Sequence, residues 1–176
     1  MIKNETLETL KTRRSCRAYK PEMITDEELE TVLEAGTWAP TGMGKQSPIL
    51  IAVQNPEDVA ELSRINAEIF GKPGFDPFYG AKTVIVVLAD AERPTRVEDG
   101  SLVLGNMMNA AASIGLGSCW IHRAKETFER EDGKALLKKW GITGNYIGVG
   151  NCILGYTAEP DKAPAPRKDD YITIIK

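Results

Sequence analysis

Arg13, Arg14, Ser15 and Arg17 fall within five consecutive positions near the start of the chain, and Arg167 and Lys168 fall within its last ten residues. The overall balance does not call for cations: 25 acidic against 22 basic side chains leave a formal net charge of -3. A general polyanion-binding surface is therefore not expected, and each basic cluster needs a local reason. Phosphate suits the first cluster, because a guanidinium can donate to two phosphate oxygens at once and the Ser15 hydroxyl adds a neutral donor. A solvated surface laced with salt bridges is the plain alternative. If both ends serve one phosphate, the fold must bring the termini together around a cofactor.

Other chemistry finds less support in the residue types. The stretch from Pro40 to Pro48 holds Thr41, Gly42, Gly44 and Gln46 but lacks the Gly-Lys-Ser/Thr order of a phosphate-hydrolysing loop. No Gly-x-Gly-x-x-Gly fingerprint follows a strand, so neither nucleotide hydrolysis nor a dinucleotide-binding Rossmann unit is predicted. Cys119 and His122 lie three apart, and on a strand they would point to opposite faces. Cys119 reads as a buried structural thiol. Cys16, between cationic neighbours, is either a thiol of lowered pKa or an ordinary surface residue. His122 is the one histidine and has no partner cluster, so a local hydrogen-bonding role is expected and no metal site.

The elements that must position these residues can be read from pattern. Residues 4–11 form a short amphipathic helix leading to the first arginines. Thr25-Asp26-Glu27-Glu28 is a capping box before Leu29, Val32 and Leu33 at helical spacing, and that helix should end near Gly36. The segment 39–48 is a loop, 49–53 a short strand, and Asn55-Pro56 a cap with proline at the first helical position. A second irregular stretch covers 71–80. Six of the seven residues from Thr83 to Ala89 are apolar, which predicts a buried strand. The segment 99–114 is a small-residue apolar helix, 117–121 a strand, 132–140 a helix closed by Gly141, and 146–156 a strand interrupted by glycines. Residues 171–175 read as an extended tail after a proline-rich connection from Pro160 to Pro166. Such a strand would dock on its own sheet or add to a partner's.

At 176 residues, with 42% hydrophobic and 27% charged side chains, the chain is expected to form one soluble domain over 1–176. Its start carries charge at once and shows no apolar signal stretch. The longest apolar run, 84–89, is too short to span a bilayer. Three widely spaced cysteines predict no disulfide framework and a reducing compartment, hence the cytoplasm. Neither nucleic-acid nor membrane binding is expected.

Arg13-Arg14-Ser15-Cys16-Arg17-Ala18-Tyr19 resembles the N-terminal flavin-binding signature of the nitroreductase family. The resemblance continues through Ala39-Pro40-Thr41-Gly42, Gln46, Gly80-Ala81, Gly115-Leu116-Gly117-Ser118-Cys119-Trp120 and Gly155-Tyr156 to the Pro-Ala-Pro-Arg tract ending at Arg167. It implies an α+β fold with a central, mostly antiparallel sheet flanked by helices. It also implies a homodimer with FMN at the interface and a C-terminal extension contributing to the partner subunit. By this similarity Arg13 and Ser15 match phosphate- or ribityl-contacting positions, with Arg14 at the same edge, and Arg17 matches the cation near the flavin pyrimidine. Asn66 resembles the amide that contacts the flavin ring system. Thr41, Gly42 and Gln46 match the loop lining the cofactor, Gly117 and Ser118 the segment near the flavin face, and Arg167, supplemented by Lys168, the distal phosphate position.

The implied activity is hydride transfer from NADH or NADPH through flavin N5 to a nitroaromatic, quinone or activated alkene, with Arg17 tuning the cofactor. The alternative is a non-catalytic FMN-binding, storage or sensing protein. Two departures stand out. Gly44 occupies a position where the family often has asparagine, and Ser47-Pro48 follows Gln46 where proline and an aromatic residue are common.

Overall fold

A computed structural model describes residues 2–159 and 163–176. Four strands, β1 (Pro48–Val53), β2 (Thr83–Asp90), β3 (Gly117–Ile121) and β4 (Tyr146–Gly155), form a sheet in the order β1-β2-β4-β3. All three pairings are antiparallel, giving the α+β architecture expected from the sequence.

The apolar run of β2 explains the layering. Thr83 to Ala89 are all buried, and because successive side chains leave opposite faces, one strand feeds two cores. Ile85, Val87 and Ala89 meet Val32 of α2 (Asp26–Thr37) and Val103, Leu104 and Met107 of α4 (Arg96–Ser113). Val84, Val86 and Leu88 meet Leu62 and Ile65 of α3 (Pro56–Ile69), Phe128 of α5 (Ala124–Glu129) and Leu136 of α6 (Glu131–Lys139). The sheet is thus sandwiched between α2 with α4 and α3 with α5 and α6. Each fully buried Leu, Ile or Val adds about 1.5–3 kcal/mol of hydrophobic stabilisation.

Local signals set the helix starts. The Thr25 hydroxyl accepts from the Glu28 N–H while the Glu28 carboxylate accepts from the Thr25 N–H, a reciprocal cap on α2. The Asn55 side-chain oxygen Oδ1 accepts from the Glu57 and Asp58 N–H groups, with Pro56 opening α3. Helix α1 (Glu5–Thr12) buries no side chain and delivers the chain to the arginine cluster.

Helix α5 and the C-terminal tail depart from the sequence reading. Helix α5 is absent from it, because six residues give too little repeat to show a period. The tail, expected as a strand, forms a short 3-10 turn at Asp169–Tyr171 and no further regular structure. Residues 163–176 are exposed throughout, with Ile175 at 88%. Part of the proline-rich connection, 160–162, lies outside the described residues.

Candidate functional site

The N-terminal cluster is stitched to one corner of the sheet. Ser15 forms a parallel bridge with Ser118, and the Cys16 N–H donates to the Ser118 carbonyl at 2.9 Å. Beyond it, the Lys20 N–H donates to the Tyr156 carbonyl and the Ala158 N–H to the Ala18 carbonyl, both at 2.9 Å. Residues 15–20 therefore bind the start of β3 on one side and the end of β4 on the other. Gly117 makes this possible: a Cβ there would stand 2.9 Å from both Cβ and Sγ of Cys16, closer than real contacts allow.

Arg13, Arg14, Ser15, Arg17, Gly117 and Ser118 are in this way brought together. Arg13 is half-buried and its Nη1 is buried without a hydrogen-bond partner; Ser118 is 1% exposed and its Oγ is likewise unpartnered. Each such orphan costs about 1–3 kcal/mol if nothing satisfies it. Arg14 folds back, donating from Nη1 to the carbonyls of Lys11 (2.8 Å) and Arg13 (2.6 Å). A recess of about 130 Å³ opens between Arg13, Arg14, Gly115, Gly117 and Thr157. Arg17 is exposed, and its charge reaches inward: burial pushes the Cys119 thiol up, while the Arg17 charge, a bond from Ser15 and the Arg13 charge oppose that. Burial also pushes the Cys152 thiol up, to about 12. Both thiols are held protonated, as structural cysteines should be.

The loop carrying Thr41, Gly42 and Gln46 is fastened separately. Thr41 Oγ1 accepts from the Gln46 N–H at 2.9 Å, and the Gly42 N–H donates to Oδ1 of Asp99 at 2.9 Å. Asp99, on the first turn of α4 and 3% exposed, also accepts from Thr95 Oγ1 (3.0 Å) and Ser47 Oγ (3.4 Å). Its oxygens thus tie both ends of the loop to α4. Gly44 takes φ +64°, the left-handed region open to glycine and, among larger residues, most readily to asparagine.

Asn66 sits at the opposite end of β3. It is 1% exposed, its Nδ2 donates to the His122 carbonyl at 2.8 Å, and its Oδ1 accepts from Arg123 Nε at 3.0 Å. His122 enters this contact only through its backbone carbonyl, and its side chain is exposed. Arg167 and Lys168 lie on the exposed tail, where Arg167 donates to the Ala165 carbonyl and Lys168 faces Asp170 at 3.7 Å. Within one chain the two termini do not assemble a shared phosphate site from these contacts. A larger recess of about 500 Å³, beside Met23, Gln54, Ser63 and Lys82, includes Ala81 but none of the residues assigned by resemblance to the cofactor.

A model of the nitroreductase family, described by that name, matches residues 10–156. This chain belongs to the nitroreductase family. A relative from Archaeoglobus fulgidus, described as a candidate NADH dehydrogenase/NAD(P)H nitroreductase, is 32% identical over 173 residues, covering 95% of this chain and 90% of its own. A nitroreductase with bound FMN from Bacteroides fragilis superposes with a TM-score of 0.91 at 31% identity, covering 99% of this chain and 100% of that one. An FMN-bound nitroreductase from Desulfitobacterium hafniense gives 0.89 at 26% identity over the same shares. Both superpositions extend over essentially the whole chain.

Asp99 and Arg123 escaped the sequence reading. Asp99 sits in a run of acidic and small residues that looks like an ordinary first helical turn. Arg123 carries no local signal beyond its charge.

Proposed function

We propose that this chain is an FMN-dependent oxidoreductase that passes hydride from NADH or NADPH to a small organic acceptor such as a nitroaromatic, quinone or activated alkene. The observation that carries the reading is the pair of buried, unpartnered donors, Arg13 Nη1 and Ser118 Oγ, at a junction lined by further cations. A phosphate and its sugar chain supply the oxygens these groups lack. The residues present thus fit FMN, and the family and its FMN-bound members supply the identity of the ligand.

In this reading Arg13, Arg14 and Ser15 hold the phosphate end, and Gly117 and Ser118 back the flavin face. Thr41, Gly42 and Gln46 line the cofactor, while Asn66 marks its ring system. When bound, FMN supplies the redox chemistry, accepting hydride at N5 and returning it to an acceptor. Arg17 places a fixed positive charge where negative charge develops on reduction. No protein nucleophile is required, consistent with the elevated thiols of Cys119 and Cys152.

Homodimerisation completes the site. Strand β1 lies at the sheet edge, and the tail carries Ile172, Ile174 and Ile175 at 72–88% exposure. An extended tail added to a second copy's sheet covers both liabilities and carries Arg167 and Lys168 towards the other copy's phosphate site.

The test is FMN binding followed by quenching of flavin fluorescence. Arg13→Gln should weaken FMN by at least about tenfold, the effect of losing one charge-assisted contact. Unchanged affinity would overturn the phosphate assignment.

A further inference from the structure

Arg123 adopts φ +76°, a left-handed conformation that suits glycine and strains a residue carrying a side chain. Such an outlier calls for a side chain with work to do. The guanidinium is held on two sides: Nε donates to Oδ1 of buried Asn66 at 3.0 Å, and Cζ lies 4.4 Å from the centroid of the Phe70 ring. Among the described residues neither a carboxylate nor a hydrogen-bond acceptor engages its Nη groups, and the one bond it donates is from Nε.

The surroundings are unusual for a surface arginine. Lys72 Nζ lies 5.0 Å from the same Phe70 centroid, so one ring serves two cations, and no salt bridge to Lys72 is formed among the described residues. Phe70 packs on Phe75 at 6.3 Å and Phe75 on Tyr79 at 5.8 Å. Phe70 and Phe75 remain 44% and 40% exposed. A fixed guanidinium with free donors, a second cation and an open aromatic wall together favour a planar ligand carrying an oxyanion.

We propose that Arg123 is a specificity-determining residue that selects redox substrates bearing an oxyanion, through donors held in place by Asn66 and Phe70. The inference rests on the proposed flavin site, because Asn66 is the residue assigned there to the flavin ring. The oxyanion has two sources: a carboxylate on an aromatic acceptor, or the 2′-phosphate that distinguishes NADPH from NADH.

The test compares FMN-loaded wild type with Arg123→Gly, Arg123→Gln and Arg123→Lys. For each, kcat/KM is measured for 4-nitrobenzoate against nitrobenzene and for NADPH against NADH. Calorimetry gives the affinity for 4-nitrobenzoate independently of turnover. Wild type should prefer the anionic member of one pair. Arg123→Gly and Arg123→Gln should reduce that ratio by about tenfold or more, with Arg123→Lys in between. The pair that responds identifies the source.

Arg123→Gly relieves the backbone but removes the donor to buried Asn66 Oδ1, so a modest fall in melting temperature is expected with it, and Arg123→Lys and Arg123→Gln read selectivity with a side chain still in place. Equal ratios in all four proteins, or a loss of stability with selectivity intact, would overturn the assignment. A wild type that fails to retain FMN would overturn the flavin reading together with it. A wild type that retains and reduces FMN, yet shows unchanged ratios in the variants, would overturn the Arg123 assignment alone.

Discussion

Replacing Asp99 separates the contribution of its charge from that of its hydrogen bonds. The carboxylate is 3% exposed and accepts from the Gly42 N–H, Thr95 Oγ1 and Ser47 Oγ. In Asp99→Asn one oxygen remains for the Gly42 N–H, and the two hydroxyls can rotate to accept from the new amide. The loss is then mainly charge assistance, about 1 kcal/mol. Asp99→Ala removes every acceptor. It leaves the Gly42 N–H unpaired at about 1–3 kcal/mol and forfeits the Thr95 bond at about 1 kcal/mol, so a total of about 3 kcal/mol follows. The Ser47 contact, at 3.4 Å, adds little. Urea unfolding at fixed pH reads both values, and flavin fluorescence reads FMN affinity in the same samples. Because the tether fixes Thr41, Gly42 and Gln46, affinity should fall in the same order as stability. Equal costs for the two variants, or an alanine variant within 0.5 kcal/mol of wild type, would refute the view that Asp99 holds the loop.

Gly117→Ala should destabilise by about 1–3 kcal/mol, since the new methyl meets Cys16 at 2.9 Å and the Gly155 carbonyl at 3.3 Å. It should also loosen FMN by parting Ser15 from Ser118; urea unfolding and FMN titration indistinguishable from wild type would contradict this. Asp58 carries a pH prediction. A hydrogen bond from Lys139 (2.6 Å), then one from Trp140 Nε1 (2.9 Å), holds its carboxyl below the usual carboxylate range. The folded state thus binds that proton less readily than the unfolded state, whose aspartate titrates near about 3.9. The stabilisation is fully present above that pH and is lost as pH falls through the lower folded value. Asp58→Asn should therefore lose more stability at pH 7 than at pH 2.5, and a pH-independent difference in urea unfolding would count against the pairing.

Much of the fold was legible because its signals are local. The Thr25–Glu28 box, the Asn55-Pro56 cap and the unbroken apolar run of β2 each encode an element without reference to the rest of the chain. The start of α4 was placed three residues late, at Asp99 instead of Arg96, because its charged first turn hides the apolar period. The arginine cluster was also legible as a group, but its attachment to Ser118 depends on a pairing across about a hundred residues. Asp99 was opaque for the same reason: its partner Gly42 lies 57 positions away, and nothing in either segment announces the other. Arg123 shows a different limit. Its importance lies in a left-handed backbone and in contacts with Asn66 and Phe70, and neither alters the local sequence pattern. The tail marks a third case, since five β-forming residues at a chain end find no surface on their own molecule to define their conformation.

The most direct test of the central claim is an anaerobic absorbance titration of the FMN-reconstituted protein with NADH and, separately, with NADPH. The account predicts a bound yellow chromophore that bleaches stoichiometrically with at least one donor and recovers its colour when a quinone or nitroaromatic is added. A protein that retains no flavin after reconstitution would contradict the assigned site. Retained flavin that neither donor reduces would contradict the oxidoreductase and leave a flavin-binding protein in its place.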